Sequence, residues 1–185
     1  MSFIQQITPS EATGELRAAY DALERSRGKV ANILQVHSLR PSALQAHLTL
    51  YLDLMFASSG LSRRQRELLA VVASRENACG YCVAHHRETL ARYLPDAGLL
   101  DAIAQGGDLS GLDAADRALC AHAVKLTRTP ARVDAHDIDA LRTAGLDDAD
   151  ILLITLIVAY FNFVNRIALG LGVAFDAAEV GGYHG

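Results

Sequence analysis

The sequence has little of what would direct it to nucleic acid, to a membrane or to a disulfide-built fold. It contains no tryptophan, four prolines and three cysteines in 185 residues. The formal net charge is -4 and no run of lysine and arginine occurs, so no electrostatic argument favours nucleic acid or an anionic membrane as a partner. Three cysteines do not make a structural framework; such cysteines are more often catalytic or metal-binding.

Long hydrophobic runs are also missing. The longest, residues 151–161, is shorter than the ~18 residues that suggest a membrane span, and Thr155 interrupts it. The first residues carry neither a basic segment nor a long apolar one, so we expect no signal peptide and a cytoplasmic protein. The composition, 51% hydrophobic and 21% charged, is that of a folded soluble protein and hints at apolar surface buried between subunits.

No period-two strand pattern stands out, and the apolar residues recur at helical spacing. The predicted fold is therefore all-α, a single domain over residues 1–185 with a core at about 29–175 and a loose tail at 176–185. Ser62 and Gln65 have the form of a capping box and open a central helix that is interrupted near Asn77. Other helices are predicted at residues 10–25, 42–56, 79–92, 97–105, 113–128, 134–144 and 147–171.

The chemistry of the chain is concentrated just after that interruption. Cys79, Cys82 and His86 are spaced i, i+3 and i+7, which puts them on one face of a helix. We expect Asn77 to cap this second helix and Cys79 to lie at its start. Unpaired N–H groups and the helix dipole favour a thiolate there, so the pKa of Cys79 should fall below the usual ~8.5.

A closed zinc site is the structural alternative for this cluster. Cys79, Cys82 and His86 would supply three ligands, and the fourth would come from Cys120, His122 or Glu76. A second tight ligand pair is lacking, which argues against zinc, and we predict no metal. Cys120 is expected to be a small core residue, Glu76 a solvated charge at a helix end, and His85 a surface residue that points away from His86.

An internal similarity joins two parts of the chain. Residues 60–86 align without a gap on residues 145–171, so that Asn77 meets Asn162 and the break is expected to recur. Cys79, Cys82 and His86 then meet Val164, Ile167 and Leu171. An old helical duplication with one chemically equipped copy explains this pattern, and chance similarity between two apolar helices explains it equally well.

The cysteine segment resembles a known family. Glu67, then Cys79-Gly80-Tyr81-Cys82, then His86 match the pattern E-x11-C-x-Y-C-x3-H of the AhpD-type alkylhydroperoxidases in the carboxymuconolactone decarboxylase superfamily. The wider chain, including Gly60-Leu61-Ser62 and residues 161–166 (FNFVNR), resembles the branch described as peroxidase-related proteins. The resemblance covers roughly residues 29–175 and is strongest at the motif.

The resemblance implies a fold and an activity. The fold would be an AhpD-like helical domain that self-associates as a homo-oligomer, a trimer or a hexamer. The activity would be reduction of hydrogen peroxide or alkyl hydroperoxides without a cofactor, with a lipoyl-type or thioredoxin-type dithiol protein restoring the site. Cys82 would be the peroxidatic thiol, Cys79 the resolving thiol, His86 and Glu67 a proton relay, and Tyr81 a residue that shapes the site.

Physical reasoning alone does not choose between the two sulfurs. The helix terminus favours Cys79 as the activated thiol, whereas His86, one turn after Cys82, provides that cysteine with the nearer base. We side with Cys82. Two other functions fit the same residues: a dithiol redox sensor or partner-binding module with little turnover, and a lactone decarboxylase-type enzyme, which would not need both cysteines.

Overall fold

The structure is a computed structural model that describes residues 2–181. Within this range every regular element is a helix, which confirms the all-α prediction. The α-helices are α1 (Gly14–Arg27), α2 (Asn32–Gln35), α3 (Pro41–Phe56), α4 (Arg63–Glu76), α5 (Gly80–Leu90), α6 (Ala97–Gln105), α7 (Ala114–Arg128), α8 (Ala135–Thr143), α9 (Asp148–Gly170) and α10 (Ala177–Val180), with a 3₁₀ turn at Pro130–Arg132 between α7 and α8. The sequence patterns missed the short α2 and the 3₁₀ turn and shifted the start of α1 by four residues.

The chain divides into two compact units, one of residues 2–53 with 166–181 and one of residues 54–165. The boundaries fall inside α3 and α9, so both helices contribute to both units. The first unit has its own apolar cluster, built by α1, α2 and the first half of α3. Its buried members are Ala12, Leu16, Tyr20, Leu23, Val30, Ala31, Leu34 and Leu44.

The end of the described chain is held by hydrogen bonds within the first unit. The Nζ of Lys29 donates to the carbonyl oxygens of Ala178 at 2.7 Å, Glu179 at 2.6 Å and Gly181 at 2.7 Å. The segment predicted as a loose tail therefore contains an anchored short helix, α10, in its described part. Residues 182–185 of that prediction lie outside the described residues.

The second unit is organised around α4. Nine consecutive residues of this helix, 66–74, are buried, which means that it is covered on all sides. Helices α5, α6 and α7 pack against it. The predicted capping box is present: the backbone N–H of Ser62 donates to Oε1 of Gln65 at 3.0 Å, and that of Gln65 donates to Oγ of Ser62 at 3.3 Å.

Helix α9 differs from the helix expected at residues 147–171 in having no interruption near Asn162. It continues without a break through Asn162, so the interruption at Asn77 does not recur in the aligned stretch. It is long and apolar enough to cross a membrane by length and composition alone, and half of its most apolar part is buried within the described residues. One face stays exposed and apolar, with Leu152, Leu156 and Phe163 each more than two fifths accessible.

Candidate active site

The site begins with the way α4 ends. Ala78 has a left-handed backbone, with φ of 54°. The backbone N–H of Ala78 donates to the carbonyl of Arg75 at 2.9 Å, and that of Cys79 donates to the carbonyl of Ser74 at 2.9 Å. These two bonds form a Schellman motif, in which the left-handed position is usually glycine. Asn77 therefore caps the C-terminus of α4; the prediction that it caps the following helix is wrong.

Helix α5 starts at once, and Cys79 is its N-cap. Both cysteines are free and buried, Cys79 with 1% and Cys82 with 3% of their surface exposed. The Cys82 thiol donates a hydrogen bond to the Cys79 sulfur, and the backbone N–H groups of Cys82 and Tyr81 also donate to that sulfur. These donors lower the pKa of Cys79 to about 7. The hydrogen bond to Cys79, together with burial, raises the pKa of Cys82 well above its usual value.

Glu67 and His86 meet beside the dithiol helix. The Nδ1 of His86 lies 2.6 Å from Oε2 of Glu67, a carboxylate that is completely buried. Because an ionised carboxylate can only accept, Nδ1 carries the proton and Nε2 is left as the basic nitrogen. The ring also meets Phe161 edge to face, with centroids 4.7 Å apart.

Arg63 supports this carboxylate and was not singled out from the sequence. Its Nη2 lies 2.6 Å from Oε1 of Glu67, off the hydrogen-bonding direction, so the contact is an ion pair by distance. Its Nη1 donates to the carbonyl of Met55 at 2.9 Å, and its guanidinium lies over the ring of Phe56 at 3.8 Å. The i, i+4 spacing of Arg63 and Glu67 on α4 was the available signal.

Tyr81 is buried and packs against His85. Their rings stack with centroids 4.1 Å apart, and Nδ1 of His85 lies 2.8 Å from the Tyr81 carbonyl oxygen. His85 is therefore engaged with Tyr81, whereas His86 is engaged with Glu67. The two adjacent histidines serve different contacts, as their 100° separation on the helix requires.

A polar group that sequence reasoning did not assign to the site lies behind the sulfurs. Asn165 is completely buried; its Nδ2 donates to Oγ of Ser74 at 3.0 Å, and its Oδ1 accepts from Nδ2 of Asn77 at 3.0 Å. Asn162 accepts from the same Asn77 nitrogen at 3.1 Å. A buried asparagine on the apolar face of a helix needs such partners, and that was the signal in the sequence.

The remaining candidates stand apart from this chemistry. Cys120 is buried in α7, as predicted, and burial raises the pKa of its thiol to about 12. The prediction for Glu76 is wrong: its side chain is 3% exposed and pairs with Arg75 and Arg128. Across residues 2–181, no group of three or more Cys, His, Asp or Glu side chains is arranged to hold a metal ion.

Comparison with known proteins relates the motif segment to a family and the whole chain to a fold. Residues 41–94, which contain the motif, match the carboxymuconolactone decarboxylase family. A crystal structure of an uncharacterized peroxidase-related protein from Silicibacter sp. TM1040 superposes with a TM-score of 0.83 at 28% identity, over 97% of this chain and 91% of that one. An AhpD-core, peroxidase-related protein from Ralstonia eutropha JMP134 gives 0.85 at 26% identity, over 97% and 94%.

A more distant likeness concerns fold alone. The debrominase Bmp8 superposes with a TM-score of 0.76 at 22% identity, over 94% of this chain and 92% of that one. No curated protein matches the chain.

Fold and site together define an all-helical protein with a buried dithiol at a helix start. Its motif-bearing segment matches the carboxymuconolactone decarboxylase family, and the chain as a whole is similar in fold to AhpD-like, peroxidase-related proteins.

Proposed function

We propose that this protein is a thiol–disulfide peroxidase in which Cys82 and Cys79 reduce a peroxide and are themselves oxidised to a disulfide. The observation that carries the proposal is the hydrogen-bonded dithiol at the start of α5. Peroxide reduction needs a thiolate, a proton donor for the leaving oxygen and a second thiol that traps the sulfenic acid. The residues around α5 can provide all three.

Cys82 is the attacking sulfur in this mechanism. His86, one turn later on α5, takes the Cys82 proton at Nε2, because Nδ1 is committed to Glu67. The thiolate attacks one peroxide oxygen, an S–O bond forms as the O–O bond breaks, and the leaving oxygen takes the proton back from His86. The products are the alcohol, or water from hydrogen peroxide, and a sulfenic acid on Cys82.

Cys79 then resolves the sulfenic acid. Its thiolate attacks the Cys82 sulfur, a disulfide forms, and the hydroxide that leaves is protonated to water. The low pKa of Cys79 suits this role, because the resolving sulfur is already ionised near neutral pH. A low-pKa thiol is also the better leaving group when an external dithiol later attacks the Cys82 sulfur and restores both thiols. A lipoyl-type or thioredoxin-type protein remains the predicted reductant.

Peroxide consumption with excess small dithiol tests the proposal. Wild type and Cys120→Ser should turn over, whereas Cys82→Ser and Cys79→Ser should not. In the absence of dithiol, Cys79→Ser should still consume one equivalent of peroxide and leave a sulfenic acid on Cys82. Absence of a Cys79–Cys82 disulfide in the mass spectrum of peroxide-treated wild type would refute the proposal.

Three outcomes would redirect the assignment. Single-turnover oxidation of Cys79 in the Cys82→Ser variant would reverse the roles of the two sulfurs. Fast oxidation followed by very slow reduction would indicate a redox sensor. Activity on a lactone acid that survives Cys79→Ser would indicate a decarboxylase-type enzyme. The predicted trimer or hexamer stays a prediction that light scattering tests directly.

A further inference from the structure

The side-chain amide of Asn165 has a fixed orientation, which Asn77 sets. The Nδ2 of Asn77 lies 3.0 Å from the carbonyl oxygen of Ala73, which can only accept a hydrogen bond, so this amide presents its nitrogen to its neighbours. The Asn165 oxygen, 3.0 Å away, must then face Asn77. The nitrogen of Asn165 is therefore turned to the other side, toward Ser74 and the sulfurs.

A second backbone carbonyl anchors the same network from its far end. The Nδ2 of Asn162 donates to the carbonyl of Val158 at 3.0 Å and to Oγ1 of Thr127 at 3.0 Å. Its Oδ1 consequently faces Asn77 as well. Both asparagine oxygens on α9 point at one amide nitrogen, and neither can flip without placing two donors against each other.

The Asn165 nitrogen lies next to the dithiol through Ser74, whose Oγ accepts from it at 3.0 Å and whose carbonyl accepts from the backbone N–H of Cys79 at 2.9 Å. Hydrogen bonding by Asn165 lowers the pKa of both thiols, and hydrogen bonding by Ser74 lowers that of Cys82. Because Ser74 already accepts from Asn165 at 3.0 Å, its hydroxyl hydrogen is available to the Cys82 sulfur. Neutral donors held in a water-poor site stabilise an anion without adding a charge.

We propose that Asn165 is a thiolate-stabilising residue of the dithiol, and that Asn77 is the positioning residue that turns its N–H toward the two sulfurs. The consequence for catalysis rests on the proposed function. Cys79 carries a negative charge at rest and Cys82 gains one when His86 takes its proton, and a neutral donor beside the dithiol stabilises both thiolates. Burial without this donor would raise the pKa of both thiols.

The test is the pH dependence of iodoacetamide alkylation at Cys79, followed by peptide mass spectrometry. Asn165→Leu keeps the side-chain volume and removes the donor, so the midpoint should rise by about one pH unit, roughly a fivefold slower reaction at pH 7. Asn77→Ala frees the Asn165 amide to rotate and should give a smaller rise. Thr127→Val alters the far end of the network and should leave the midpoint unchanged.

The test does not depend on a single variant. Asn165 is buried, and if Asn165→Leu loses its helical circular dichroism the partly exposed Asn77→Ala decides the matter alone. Wild-type midpoints in the folded variants would overturn the inference. Alkylation needs no peroxide, so shifted midpoints in a protein without peroxidase activity would refute the proposed function only. Peroxide turnover with unshifted midpoints would refute this inference only.

Discussion

Two stretches of the chain that align without a gap, residues 60–86 and residues 145–171, adopt different backbones. In the first, α4 ends and α5 begins within four residues, and Cys79 becomes a helix N-cap. In the second, α9 runs on through Asn162. The broken stretch gains a second helix start, where the Cys82 thiol and, after it, the backbone N–H groups of Cys82 and Tyr81 lower the pKa of Cys79. The helix start is the backbone feature that the first stretch has and the second stretch lacks.

The residues after each asparagine account for the difference. Ala78 adopts a left-handed backbone at a cost of about 1–2 kcal/mol, and the Schellman bonds offset it. The aligned residue in α9 is Phe163, followed by the β-branched Val164. A bulky residue in the left-handed region is a genuine outlier. The second stretch therefore stays helical where the first one turns.

The largest expected effect comes from replacing His86, the proposed base in the first stretch, with the residue that the second stretch has at the aligned position. His86→Leu installs the residue that stands at the aligned position, Leu171. Peroxide turnover should fall by about 10²–10⁴-fold at pH 7, because Cys82 loses the group that takes its proton. The lost activity should partly return as pH rises and the Cys82 thiol ionises unaided. Steady-state rates across pH measure both effects.

His85→Leu is the matched control, since His85 is adjacent in sequence but contacts Tyr81 instead of Glu67. It should retain activity within a few-fold of wild type. Equal losses in the two variants would mean that the relay from Glu67 through His86 is not what drives turnover.

Part of this site was predictable because its signals are local. The C-x-Y-C spacing, the Ser62–Gln65 capping box and the interruption near Asn77 all lie within a few residues of the features they specify. The left-handed Ala78 has no such signal, because glycine is the residue that normally marks that position. Contacts made through folding, such as Asn165 with Ser74 across 91 positions, depend on packing that no local pattern encodes.

The next prediction compares thiols placed at equivalent positions in the two stretches. Val164→Cys puts a thiol opposite Cys79 in the alignment, at a site that is 4% exposed compared with 1% for Cys79. Alkylation of Cys79 should be half-maximal near pH 7 and about tenfold slower than its high-pH plateau one unit below that midpoint, because acid protonates the thiolate. The thiol introduced by Val164→Cys, inside an unbroken helix, should react only at much higher pH. Matching midpoints would show that the helix start is not the cause.

Glycine should act with opposite sign in the two stretches. Ala78→Gly removes the left-handed cost and should raise the free energy of unfolding by about 1 kcal/mol. At the aligned position, the free energy of unfolding of Phe163→Gly should be about 1 kcal/mol lower than that of Phe163→Ala, because glycine weakens a helix interior. Urea denaturation of the four proteins measures both steps. Destabilisation by Ala78→Gly would mean that the Schellman geometry is not what ends α4.

The smallest expected effect concerns the asparagines that the alignment superimposes. Asn77 donates to Asn162 at 3.1 Å, so the two stretches contact each other at equivalent residues. A double-mutant cycle with Asn77→Ala and Asn162→Ala should give a coupling free energy of about 0.5–1.5 kcal/mol, the usual net value of one hydrogen bond. A second cycle that pairs Asn77→Ala with Thr127→Val should give a smaller coupling free energy. Thr127 accepts a hydrogen bond from Asn162, and it is linked to Asn77 only through that residue. Additive changes in the first cycle would reduce the aligned asparagines to neighbours without energetic linkage and remove the physical support for reading the two stretches as related halves.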